Sequence, residues 1–157
     1  MKAAVFAMAV AVSAGAQAQT AGPFSSLAGT WEGAGRIAFG SGENERIRCR
    51  AQYQAANAGS TATMSIRCAS DSYKFELQSN LRYQNGELRG DWNERTRGTG
   101  GMVFGSIKGN QIDARVDGQT FSALLSLVTK GDKQSISIKA PVSGQMSEAS
   151  ITLSRKG

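Results

Sequence analysis

Three kinds of side chain in this sequence could do chemistry: a pair of thiols, a stripe of arginines and a small group of acids. Cys49 and Cys68 are the only cysteines. An even count reads as a disulfide where a chain leaves the cytoplasm. Their spacing is not the C-x-x-C of a redox pair, and the chain has no histidine to complete a metal shell. That absence also removes Ser-His-Asp and Cys-His catalysis. Ser-Lys and two-carboxylate mechanisms stay formally open. The acids available, Glu43, Glu45, Asp91 and Glu94, fall beside Arg46, Arg48 and Arg95 and read first as surface pairs. Only Glu94 shares the inward parity of Trp92, so an enzymatic reading would have to rest on it. The expectation is a protein with no catalytic residues, no metal and no cofactor.

Arg46, Arg48 and Arg50 stand at i, i+2 and i+4, so on a strand their guanidinium groups project to the same side. Such a stripe can grip phosphate or carboxylate groups bidentately. It can equally be a solvated outer face that Glu43 and Glu45 help to balance.

The compartment follows from the N-terminus. Met1-Lys2 precedes a small-apolar run from Ala3 to Val12, and Ala16-Gln17-Ala18 has the A-x-A form of a cleavage site. The run is shorter than the roughly 20 residues a membrane span needs. Residues 1–18 are therefore expected to be a signal peptide, 19–28 a linker and 29–157 a single domain, in a periplasmic or secreted protein. No cysteine sits near the cleavage site to carry a lipid. Removing Lys2 lowers the formal charge from +6 to +5. The anions that such a charge would meet outside the cytoplasm are lipid headgroups, lipopolysaccharide and acidic glycans; nucleic acid is not an expected partner.

The elements that would hold these residues are strands. With 19 glycines and 2 prolines, the chain alternates apolar and polar residues along most of its length. Trp31, Gly33, Gly35, Ile37 and Phe39 share one face of a strand at about 29–39. Ile47, Cys49, Ala51 and Tyr53 share one at about 45–54, and Ala62, Met64, Ile66 and Cys68 one on the next. Both cysteines thus fall on inward parity of adjacent strands, which favours bridging. Tyr73, Phe75 and Leu77 continue the pattern. Asn85-Gly86 marks a tight hairpin, followed by Leu88, Gly90 and Trp92. Further turn signals at Gly109-Asn110, Asp117-Gly118 and Gly131-Asp132 separate strands near 101–108, 111–116, 119–129, 133–139 and, after the loop around Pro141 to Met146, 148–155.

The reading is all-β: an antiparallel up-and-down meander closing into a small barrel of about eight to ten strands. Stretches near 99–107 and 121–129 are apolar on both parities, which predicts a cover from the linker or a partner. Phe24 is expected to tuck back onto the barrel. An outer-membrane barrel is disfavoured. The chain ends Ser154-Arg155-Lys156-Gly157 instead of on an aromatic residue, and the arginine face leaves no outward apolar band.

At Gly29-Thr30-Trp31 the chain resembles the calycin superfamily, the lipocalins, avidins and fatty-acid-binding proteins, whose barrels open with a G-x-W turn. In those families a basic residue on the last strand packs across the tryptophan and closes one end. Arg155, on the parity of Ile151 and Leu153, is the residue in that position, and a cation–π contact with Trp31 would give it a partner. The resemblance implies an end-closed barrel with a mouth and no particular cargo.

Tyr53, Tyr73, Phe75, Trp92 and Phe121 would line an apolar cavity if the barrel is hollow; a small barrel can also be filled by such side chains. Gly33 and Gly35 mark either coiling at a barrel corner or space left for a ligand. The first functional expectation is a non-enzymatic exported barrel that binds a small apolar or amphipathic ligand. The alternative is an interaction or inhibitor module that engages an envelope macromolecule or a hydrolase through its basic face.

Overall fold

The computed structural model describes residues 20–140 and 146–157. The expected signal peptide and the loop at 141–145 lie outside the described residues. Ten strands run in order: β1 (Gly29–Phe39), β2 (Asn44–Ala56), β3 (Thr61–Ala69), β4 (Lys74–Gln84), β5 (Glu87–Glu94), β6 (Thr99–Lys108), β7 (Gln111–Gly118), β8 (Ser122–Lys130), β9 (Lys133–Lys139) and β10 (Met146–Lys156). Each pairs antiparallel with the next, and β10 returns to pair with β1, so the sheet is a closed barrel. Closure leaves no strand edge for another chain to extend.

The alternation in the sequence carries this architecture. On β2, Ile47, Cys49, Ala51 and Tyr53 are buried while Arg46, Arg48, Arg50 and Gln52 are exposed. Asn85 and Gly86 join β4 to β5 with φ of 51° and 84°, the left-handed pair a two-residue hairpin needs to match strand twist. The turn signal at Asp117-Gly118 sits two residues too early. β7 continues through Gly118, which pairs with Gly101, and residues 119–121 make the turn, closed by the Gly118 N–H donating to the Phe121 carbonyl. A Cβ on Gly118 would stand 2.7 Å from the Trp92 ring, so the residue that looked like a turn is a packing site for the indole.

Gly33 and Gly35 bring β1 close to β10. A Cβ at either would fall 1.9 Å from a β10 carbonyl oxygen, Thr152 or Ser150 respectively. They let two backbones approach and contribute no open space to the interior.

One end of the barrel is plugged. A single 3₁₀ turn, Pro23–Leu27, folds under it and buries Phe24 and Leu27. The Gly22 N–H donates to the Ala58 carbonyl at 2.7 Å, tying the plug to the β2–β3 turn. The linker therefore lies at this end against β2 and does not cover the outer faces of β6 and β8. Met102, Phe104 and Leu124 on those faces are exposed, Leu124 by 56%.

Candidate functional site: an apolar cavity with a plugged floor

Trp31 is fully buried at the plugged end, and its indole N–H donates to the Leu27 carbonyl at 2.8 Å. The Arg155 guanidinium lies 4.2 Å from the Trp31 ring centroid. It also donates to the Ala28 carbonyl, to the Ser26 carbonyl at 2.5 Å and to Asp132 Oδ1 at 3.1 Å. The guanidinium fork thus joins the last strand, the first strand and the plug.

Above this floor the barrel is hollow. A cavity of about 350 Å³ runs up the interior, and all five aromatic residues singled out from the sequence, Tyr53, Tyr73, Phe75, Trp92 and Phe121, line it. They meet edge to face in two groups. Tyr73 contacts Phe39 and Phe75 with centroids 5.9 and 6.1 Å away, and Trp92 contacts Phe121 at 6.0 Å. The rest of the wall is aliphatic or thioether, with Met64, Val116, Leu125, Ile138 and Met146 among the residues the sequence reading did not single out. Their signal was the same inward alternation, which does not distinguish a residue facing a void from one in a packed core.

Polar groups sit at the two ends of this space. Near the floor the Tyr53 hydroxyl donates to Gln134 Oε1 at 3.2 Å, and burial pushes that phenol above the ordinary tyrosine range. At the other end, where the turns at 70–73, 95–98 and 119–121 form a mouth, Arg97 stacks over the Tyr73 ring at 4.3 Å. The Thr99 and Thr120 hydroxyls meet there at 3.1 Å. Burial raises the Tyr73 phenol; Arg97 opposes that shift and Glu94 adds to it.

Glu94 is buried at the mouth, and its carboxylate is occupied. It accepts from the backbone N–H groups of Glu76 at 2.9 Å, Thr96 at 3.1 Å and Arg97 at 2.8 Å, from the Thr96 hydroxyl at 2.5 Å and from the Arg97 guanidinium at 3.5 Å. Burial alone would raise its pKa, but these donors outweigh it and hold the carboxyl below the usual glutamate value. A carboxylate so held ties the β5–β6 turn to β4 and is poorly placed to give up or take a proton at neutral pH.

The Cys49–Cys68 disulfide is formed, between residues directly opposite each other on β2 and β3. Among the described residues no group of three or more His, Cys, Asp or Glu could hold a metal ion, and no helix is long and apolar enough to cross a membrane.

The arginine stripe is exposed on the outer wall, but its members are not equivalent. Arg50 belongs to a row across four strands, Glu32, Arg50, Arg67 and Glu76, in which two adjacent arginines are flanked by glutamates, with Arg50–Glu32 at 3.1 Å and Arg67–Glu76 at 3.7 Å. Arg48 lies between Ala34 and Ala69, and Arg46 lies opposite Arg36. Glu45, expected to balance the stripe, instead accepts from the backbone N–H of Ser72 at 3.1 Å and from its hydroxyl.

Solved structures share this architecture. Rv2717c from M. tuberculosis superposes with a TM-score of 0.68 at 16% identity, over 85% of this chain and 94% of that one. The S-type phycobiliprotein lyase CPES from Guillardia theta does so with a TM-score of 0.61 at 10% identity, over 85% and 90%. The likeness is one of fold. It covers most of this chain in both cases and agrees with a closed antiparallel barrel. No protein-family model matches the sequence, and no curated protein matches it.

Proposed function

We propose that this chain is an exported, non-enzymatic barrel that takes a small apolar or amphipathic ligand through its open end. The observation that carries the reading is the cavity: about 350 Å³ of apolar space, plugged at one end and rimmed by polar groups at the other. That is the size and lining of small-molecule sites, whose few polar groups orient a ligand that apolar walls hold. A periplasmic or secreted location is supported by the signal-like residues 1–18 and by the disulfide, which persists in oxidising compartments. The non-enzymatic reading is supported by the lack of histidine and by the occupied Glu94 carboxylate.

The test is a titration of the oxidised mature chain with a naphthylamine probe whose fluorescence rises in apolar surroundings, alongside native mass spectrometry of the protein as purified. Binding should saturate at one probe per chain. Ala114→Phe, which places a ring inside the cavity, should weaken it by at least about an order of magnitude, or roughly 1.4 kcal/mol, without loss of the folded near-ultraviolet dichroism. Binding unchanged in a folded Ala114→Phe variant would overturn the proposal.

A further inference from the structure

Arg36, Arg46 and Arg48 stand together on the outer wall with their charges unanswered. Arg36 and Arg46 are directly opposed across the β1–β2 pair, so their Cβ atoms are about 5 Å apart. Arg48 follows Arg46 by two residues on the same face, about 7 Å along the strand. All three are exposed, and among the described residues none makes an ion pair or a side-chain hydrogen bond. The contrast with the next row is informative. There Arg50 and Arg67 also face each other, but each has a glutamate on its other side, whereas here the opposed pair has no flanking glutamate and the third arginine has alanines on both sides. Like charges directly opposite on a sheet destabilise it, so the arrangement costs the free protein something that an anion would relieve.

We propose that this cluster docks the barrel side-on to an anionic, phosphate-bearing lipid surface. Guanidinium forks match phosphate oxygens bidentately, and three of them in a triangle on a flat wall present charge over an area, as an array of headgroups does. Position adds a second argument. Arg36 lies near the end of β1 and Arg46 near the start of β2, on either side of the 40–43 turn at the open end. The docked barrel holds its mouth close to the lipid. If the cavity binds an apolar ligand, as proposed above, that lipid is the phase from which such a ligand is drawn; the docking itself does not depend on that reading.

The experiment is co-sedimentation of the oxidised mature chain with phosphatidylcholine vesicles, with and without about a third of phosphatidylglycerol. The expected result is binding to the anionic vesicles alone, lost between ~50 mM and ~500 mM salt. At about one power of ten or slightly less per charge, Arg36→Gln/Arg46→Gln/Arg48→Gln should weaken partitioning by roughly two orders of magnitude. Lys108→Gln/Lys133→Gln/Lys139→Gln removes the same charge elsewhere on the barrel and should change partitioning much less. Equal losses in the two triple variants would assign the effect to net charge and overturn the proposal, as would failure to sediment with anionic vesicles. Displacement by millimolar soluble glycerol phosphate would make this a small-anion site and overturn the lipid assignment. Probe affinity in vesicle-free solution should be the same in wild type and the arginine variant. A protein that binds vesicles and no probe would leave the docking standing and remove the ligand reading.

Discussion

Arg155→Met tests whether the plugged end depends on the guanidinium that joins its three segments. Methionine keeps most of the aliphatic packing and removes the charge and the donors. The contact with Trp31 at 4.2 Å is worth about 0.5–1 kcal/mol at a partly exposed site. The bonds to the Ser26 and Ala28 carbonyls involve a charged donor, nominally about 1.5–3 kcal/mol each. They need discounting, because the arginine side chain retains 27% exposure and the freed carbonyls can turn toward water. The pair with Asp132, whose side chain is 80% exposed, adds little. The total comes to about 2–4 kcal/mol, or roughly 10 °C in melting temperature for a chain of this size. Arg155→Lys keeps the charge but cannot span both carbonyls, and should recover about half of the loss. Urea unfolding of the oxidised mature protein, followed by the fluorescence of its two tryptophans, gives the free energies. A double-mutant cycle with Trp31→Phe isolates the ring contact. An Arg155→Met variant that lost less than about 1 kcal/mol at unchanged m-value would refute the reasoning, because the plug would then be held by Phe24 and Leu27 alone.

Other perturbations follow from the geometry. Reducing the Cys49–Cys68 bridge, which closes a 19-residue separation, should cost about 3 kcal/mol on the chain-entropy estimate; identical urea midpoints with and without reductant would contradict it. Glu94 has a folded pKa below its unfolded one, so its stabilisation is present above the ordinary glutamate range and is lost as pH falls through the lowered folded value. The urea midpoint of wild type should therefore drop more steeply below about pH 4 than that of Glu94→Gln, and parallel curves would show that the carboxylate is not the titrating tie. Arg36→Gln removes one of two opposed like charges and should raise the melting temperature at low salt, a gain that added salt erases. A destabilised Arg36→Gln would mean that the cluster has a partner within the folded protein.

The strands were legible because their information is local. Ile47, Cys49, Ala51 and Tyr53 declare the inner face of β2 whatever lies beside it, and Asn85-Gly86 declares its turn by the backbone angles it can adopt. Cys49 with Cys68 and Trp31 with Arg155 could be matched across strands, but the neighbours of the charged residues on the outer wall and at the rim could not. Arg46, Arg48 and Arg50 are one stripe in sequence, but pairing sends Arg50 to Glu32 and sets Arg36 against Arg46. Glu94 shares the parity of Trp92, which suggested a residue aimed inward for chemistry. Only its position beside the 95–98 turn, with three backbone N–H groups pointing at it, shows a carboxylate that fastens the rim. The hollow interior was equally hidden, since Phe75 or Leu125 follows the same alternation whether it faces a neighbour or empty space.

The pairing of β1 with β10 has a consequence for when the protein can exist. Every other pair joins strands made one after the other, whereas this one matches Thr30 with Lys156 and Ile37 with Ala149. A chain emerging from the ribosome N-terminus first holds β1 as an open edge until β10 has been made. Arg155, which locks the plug, lies on that same strand. Closure over so long a separation is slow and comes late. Neither the sealed floor nor the cavity above it forms before β10 is made, so until then the polypeptide stays threadable through a narrow channel. A version lacking β10 would present two raw sheet edges in place of a vessel.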